Sequence, residues 1–405
     1  EQADETDAMF GELYSWYLRN PEYRSRVQKL VQSAFAGKPE DIISQSVAKA
    51  LYGEVSPYSA TRLERFAACA FAHFLQYGMK LTERVEYEFK PMDMGNVMHE
   101  ALESFAEEVR KRGMKWTELT EQERNEIADR CLDNIVADYG NTVLKSSARN
   151  EYMIERTRRI LRRTVWALQK QLEQGEFQPE GFEVTFGGGR IDRVDIMEDQ
   201  NKVYVKVIDY KTGNTSFDLV YLYHGLQLQL MIYLDGALRV EQKKYPDKEI
   251  IPAGVFYYNI KDPMIQEKID ADVEAVSAGL MKELKMNGLV QADPELVYRM
   301  DSSLGSIPVA FNKDGSFRKN SSVADRTQFA VLGRYVRTKI EKIRSSILEG
   351  DAEVSPYELG KKNACTYCPY MTVCGFDRRL SGYEFRRLKN FSDEELWKAF
   401  DREAE

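Results

Sequence analysis

Four cysteines placed toward the two ends of the chain constrain its fold more than any other feature. Cys69 stands alone, whereas Cys365, Cys368 and Cys374 share one short stretch of the 405-residue sequence. Three clustered thiolates and one distant thiolate suit a four-coordinate metal centre. Closing a loop of about 300 residues restricts the unfolded chain by roughly 5 kcal/mol, on the chain-entropy reasoning developed for disulfides. The fold must therefore bring residue 69 against the 365–374 segment and carry its chemistry between them. Zinc suits four thiolates as well as an iron–sulfur cluster does. A structural role is favoured over a redox one. The fifth cysteine, Cys131, reads as a small buried residue in a helical stretch.

Five cysteines make an odd count for a disulfide scaffold, so a cytosolic, metal-ligating use is expected. No apolar run is long enough to span a membrane, and the acidic Glu1-Gln2-Ala3-Asp4-Glu5 start has the wrong character for a signal peptide. The missing initiator Met suggests a fragment of something longer. A net charge of −8 argues against nucleic-acid binding by the whole surface. Local basic runs remain at 156–163, 361–362, 378–379 and 386–389, each equally readable as a solvated helix face.

The periodicity predicts a polar helical appendage over 1–55. A Ser-capped helix from Ser59 follows, holding Leu63, Phe66, Cys69, Phe71 and Phe74. A short extended segment is expected at 86–90, then a helix over 94–110 with Val97, Ala101, Leu102 and Phe105 on one face. A charged helical insertion follows at about 113–178. The period then changes to two: 182–186, 191–197 and 202–210 read as a three-stranded antiparallel meander with a glycine turn at Gly187-Gly188-Gly189. A helix over 226–238, a strand over 251–259, an irregular stretch over 262–320, a helix over 321–349 and a short helix over 393–400 complete the expectation. The unit bounds are 56–380 for the core and 381–405 for a helical tail. A small mixed sheet flanked by helices follows, α/β in class.

The chemistry gathers on that sheet. Asp192 opens one strand and Asp209 closes the next; Lys211 follows Asp209 by two and shares its face. Two carboxylates hold Mg²⁺ or Mn²⁺ through hard oxygen ligands, and a lysine positions a water or stabilises developing charge on a phosphate. His99 offers a nitrogen ligand from a helix. Gln229 and Tyr233 lie one helical turn apart and can reach the same site. Tyr210 should point the other way, into the core. Among blander residues, His73 reads as packed, His224 as a helix-start or DNA-touching residue, Glu100 as a neighbour of the metal ligand, and Asp195 as an exposed partner of Arg193 or Lys202.

The order Gly95…His99, Gly189…Asp192, Asp209-Tyr210-Lys211, Gln229…Tyr233 resembles the RecB-type branch of the PD-(D/E)XK nucleases. Ser59-Ala60-Thr61-Arg62-Leu63-Glu64 and Cys69-Ala70-Phe71 are closer still to the C-terminal nuclease domain of the AddAB-type helicase–nucleases. The resemblance covers roughly 56–380. It implies a restriction-endonuclease-like core, metal ligation by His99, Asp192 and Asp209, a catalytic Lys211, and Gln229 and Tyr233 beside the site. It also implies a [4Fe–4S] cluster on Cys69, Cys365, Cys368 and Cys374. Ala70 departs from the proline usual after the first cysteine, and the core acid is Asp209 rather than Glu. The implied activity is hydrolysis of the 5′-terminated DNA strand in double-strand-break repair in the bacterial cytoplasm, with an AddA-like helicase subunit as heterodimer partner. No phosphate-loop motif is present, so ATP hydrolysis is not expected. Two readings stay open: a DNA-end-binding module active only in the full complex, and a stand-alone CRISPR-adaptation-type nuclease.

Overall fold

The computed structural model describes residues 2–35, 42–53, 59–83, 91–138, 147–187, 189–266, 272–380 and 382–404. The extended segment expected at 86–90 and parts of the two turns, 56–58 and Gly188, lie outside these residues. The chain opens with α1 (Gln2–Arg19), α2 (Pro21–Phe35) and α3 (Gln45–Tyr52), followed by α4 (Ala60–Ala68) and α5 (Ala70–His73). Next come α6 (Pro91–Lys111), α7 (Glu121–Asp138) and α8 (Ala148–Glu173). The meander is β1 (Gln178–Phe186), β2 (Gly189–Asp199) and β3 (Lys202–Lys211), and α9 (Leu219–Tyr223) and α10 (Gln229–Lys244) lead to β4 (Glu249–Asn259). Then follow α11 (Val273–Glu283), β5 (Asn287–Gln291), α12 (Pro294–Met300), β6 (Val323–Ala324) and α13 (Arg326–Glu349). The end carries β7 (Tyr357–Leu359), β8 (Lys362–Asn363), α14 (Met371–Cys374), β9 (Arg386–Arg387) and α15 (Asp393–Ala404).

β1 to β6 form one sheet in sequence order, antiparallel except for the β3–β4 and β5–β6 pairs. The strict alternation of β3 decides its two faces. Ile208 and Tyr210 join the core under α6, α7 and α8, while Val203, Val205 and Val207 join the core under α4, α10, α13 and α15. The sheet is thus sandwiched between two helical layers. Helices α7 and α8, expected as an insertion, supply one of those layers through Leu132, Leu161, Val165 and Leu168. The expected tail also docks, with Leu396 and Phe400 buried in the other layer.

Several expectations need correction. Cys69 does not lie inside a helix: it is extended at φ −167°, ψ 117°, and separates α4 from α5. This break turns the thiol out of the helical ladder toward the C-terminal segment. The stretch 262–320 contains a real strand, β5, whose Asn287-Gly288-Leu289-Val290-Gln291 run is too short to show alternation. Residues 321–325 are not helical: β6 occupies two of them, and Asp325 caps α13 through a reciprocal box with Gln328. The helix expected from 226 begins at Gln229. Asp195, expected at the surface, is fully buried and pairs with Arg193 at 2.5 and 2.9 Å and with Lys206 at 2.9 Å. Strand alternation gives a face but does not say which faces are covered.

Gly350 ends α13 in the left-handed region (φ +93°), where a Cβ would meet Ile43 O at 2.0 Å. Only glycine allows the α13 terminus to abut the chain just before α3.

Candidate active site

Asp192 shapes the end of the sheet where the site lies. The β2–β3 ladder stops at the Arg193–Ile208 pair. Beyond it the Tyr210 N–H donates to Asp192 Oδ2 at 2.7 Å instead of to a strand partner. The carboxylate thus replaces a backbone acceptor and parts the strands. Asp209 and Lys211 follow on one face, with Lys211 Nζ 2.7 Å from Asp209 Oδ2. Tyr210, between them, is buried in the opposite core, as expected.

α6 delivers His99 from the other side. Gly95 lies one turn earlier on α6, and a Cβ there would meet Thr212 Oγ1 at 3.3 Å. Glycine therefore lets α6 approach the end of β3 closely. His99 Nδ1 reaches Asp192 Oδ2 at 3.3 Å and Glu183 Oε1 at 4.0 Å. His99, Glu183 and Asp192 place one ligand atom each within 4.8 Å of one another. This donor set, one imidazole and two carboxylates, fits a divalent cation. Asp209 is buried beside that trio, turned toward Lys211.

Glu183 does not stand out in the sequence, where it reads as one residue of an alternating strand. Its backbone sits at φ +50°, a left-handed conformation that a glutamate rarely adopts. It falls between the Phe182–Arg193 and Val184–Ile191 pairs, across from Asp192. Nothing in the local sequence signals that distortion.

The electrostatics describe a site built for positive charge. Burial, then the charge of Asp192, push the Glu183 carboxyl up to about 7. The same two causes, in the same order, raise Asp209. Burial opposes the charged form of His99, but its hydrogen bond to Asp192 and the surrounding carboxylates together outweigh that and raise it. Crowded carboxylates of this kind ionise readily only when a cation joins them.

α10 completes the constellation. Gln229 Oε1 accepts from Lys211 Nζ at 2.7 Å, and Gln229 Nε2 donates to the Tyr233 hydroxyl at 2.9 Å. The i, i+4 spacing puts both on the helix face that meets the sheet. Glu100 is exposed, apart from this group. His224 ends α9 and contacts Lys389 O at 2.8 Å through its ring. His73 is fully buried and accepts from Arg62 Nε at 3.2 Å.

All four cysteines of the expected set line a single apolar cavity, together with Phe71 and Phe376. None forms a disulfide. Cys131 is buried in the core near α6 and α7, away from them. Burial, then the neighbouring thiolates Cys69, Cys368 and Cys374, push the Cys365 thiol up to about 12. Four soft donors around an apolar void fit a thiolate-bound metal group. Two hydrogen bonds hold the two ends together around it, one between backbones and one from a side chain: Phe71 N–H donates to Glu353 O at 2.9 Å and the Tyr370 hydroxyl to Leu81 O at 2.9 Å.

Residues 57–375 match the PD-(D/E)XK nuclease superfamily. The chain is also similar to proteins named as the B-type subunit of an ATP-dependent helicase/deoxyribonuclease. That of Lachnoclostridium phytofermentans is 41% identical over 99% of this chain and 36% of its own length. Those of Alkaliphilus metalliredigens and Clostridium acetobutylicum are 34% and 33% identical over 98% of this chain, and over 37% and 36% of their own lengths. The chain therefore spans little more than a third of these curated relatives.

Proposed function

The chain belongs to the PD-(D/E)XK nuclease superfamily, and on that premise we propose that it hydrolyses DNA phosphodiesters with a divalent cation as the nuclease portion of an AddAB-type helicase–nuclease. Residues 56–380, with the docked α15, make the nuclease unit. The whole assembly is proposed to unite this unit with an AddA-like helicase subunit and to cut the 5′-terminated strand during break repair. The relatives' name, which joins helicase and deoxyribonuclease in one multi-subunit enzyme, supports that assembly. No helix among the described residues is long and apolar enough to cross a membrane.

The observation that carries the reading is Lys211, held between Asp209 Oδ2 and Gln229 Oε1 at 2.7 Å each, beside the His99–Glu183–Asp192 trio. His99, Asp192 and Asp209, joined by Glu183, would hold Mg²⁺ or Mn²⁺. Such an ion supplies Lewis acidity to a phosphate and makes a water more acidic. Lys211 gives one N–H to Gln229 and pairs by charge with Asp209, which leaves an N–H for a phosphate oxygen. Its side chain is 28% exposed, so substrate can reach it. There it stabilises the negative charge that grows during attack. Tyr233 fixes the Gln229 amide, so that the lysine is aimed before substrate arrives.

Cys69, Cys365, Cys368 and Cys374 would hold a [4Fe–4S] cluster, which supplies a cross-link between the two ends of the unit. Zinc would suit the same four thiolates; iron and sulfide content of the purified chain tells the two apart.

The test is cleavage of a single-stranded oligonucleotide by the purified chain with Mg²⁺ or Mn²⁺. Asp209→Ala and Lys211→Ala are each expected to lower the rate by about a hundredfold or more while DNA binding persists. Undiminished cleavage by either variant would sink the proposal. A wild-type chain that binds DNA ends but cuts only with its helicase partner would instead mark it as an assembly-dependent module.

A further inference from the structure

α10, which carries Gln229 and Tyr233, has no side-chain cap of its own: its N-cap residue is Leu228. The start of that helix is held from elsewhere. Glu64 Oε1, on α4, accepts from Leu228 N at 2.7 Å and from Gln229 N at 2.9 Å, across more than 160 residues of sequence. α4 is the helix that ends at Cys69. The two elements also abut just before α10, where a Cβ at Gly225 would meet the Ala67 Cβ at 3.2 Å.

We propose that Glu64 is a positioning residue of the active site: it ties the first turn of α10 to the cysteine-bearing arm and so seats Gln229 against Lys211. This rests on the nuclease reading above. The contacts form one line, from Cys69 through α4 and Glu64 to Gln229, Lys211 and Asp209. The clasp at the cysteines is thereby connected to the site by a rigid element and not by proximity alone.

The chemistry argues for a positioning role over simple helix capping. A serine or aspartate at the N-cap position satisfies the first N–H groups cheaply and locally. A glutamate brought from another helix must be desolvated, and its carboxyl is pushed up to about 7 chiefly by that burial. What this arrangement gains over a local cap is a fixed placement of α10 relative to α4. Gln229 is the residue whose backbone N–H donates one of the bonds and whose side chain holds the lysine, so a shift of the first turn moves Lys211 directly.

The experiment compares the full chain with Glu64→Ala, Glu64→Gln and Glu64→Asp. Three quantities are read: kcat and KM for a single-stranded oligonucleotide with Mn²⁺, the rate at which an amine-acetylating reagent labels Lys211, followed by mass spectrometry, and iron content. Glu64→Ala is expected to lower kcat by about ten- to a hundredfold with KM changed by less than about twofold. Lys211 labelling should accelerate severalfold while iron content holds. Glu64→Gln keeps an acceptor oxygen and should restore most of kcat and the slow labelling. Should Glu64→Ala not fold, Glu64→Asp, one methylene shorter, should show the same two changes in milder form. A folded Ala or Asp variant with unchanged labelling and kcat overturns the proposal. So does a variant altered only in melting temperature, or one that loses iron in step with activity. If the wild type cleaves no DNA, the nuclease reading fails, and Lys211 labelling alone decides the positioning role.

Discussion

Glu183 turns an ordinary strand edge into a candidate metal site. Its left-handed backbone, at φ +50°, costs about 1–2 kcal/mol relative to extended geometry. That cost is tolerated where the residue faces His99 and Asp192 across the opened ladder. Glu183→Ala is expected to weaken Mn²⁺ binding by at least about tenfold, measured by isothermal titration calorimetry, because one of three close donors is lost. Glu64 makes a second residue-scale prediction. Burial holds its carboxyl at about 7 in the folded chain, against the ordinary value of 4.5. Between those values the folded state binds one proton more than the unfolded state. Its contribution to stability is therefore greatest at low pH and declines as pH rises through that window, by up to about 3 kcal/mol. Glu64→Gln should remove this slope. Melting temperatures of both proteins across the window check it: the wild type should lose ground to the variant as pH rises.

At the scale of elements, the cysteine arm and the sheet are stabilised separately. The sheet is packed by two large apolar cores, whereas Cys69 belongs to a small satellite cluster with Ala72, Leu75 and Tyr370. Loss of the clasp should therefore loosen the arm and spare the sheet. With the proposed cluster on these cysteines, Cys69→Ser is expected to abolish iron binding and to speed hydrogen exchange in α5 and the β7–α14 region, while α4 stays packed in the large core. Protection of β2, β3 and β4 should stay near that of the wild type. Global unfolding of this variant would show instead that the clasp holds the whole unit. The extended backbone at Cys69 fits this division: the break between α4 and α5 points the thiol at its partners without disturbing α4, which Ser59 caps on its own.

At the scale of the molecule, α1 and α2 stand apart from both cores. They pack on each other through Trp16, Tyr17 and Tyr23, and none of their described residues is buried. Phe10, Trp16 and Leu30 are 60%, 55% and 69% exposed. Removing residues 1–35 should leave the melting temperature and any cleavage rate unchanged and should reduce self-association, read by light scattering.

Much of this arrangement is legible in the residues alone. The change from helical period to period two marks β1, β2, β3 and β4, because a half-buried strand imposes alternation directly on its residues. The spacing of Asp209 and Lys211, and of Gln229 and Tyr233, predicts shared faces for the same geometric reason. The four cysteines announce a contact between distant ends, since thiolate ligands act only together. Tertiary structure alone decided the rest. Glu183 joined the site through a local backbone inversion, Asp195 was buried by helices laid over its strand face, and Glu64 reached α10 across more than 160 residues of chain. Periodicity reports which side of an element a residue lies on; what comes to cover that side depends on packing between elements far apart in sequence.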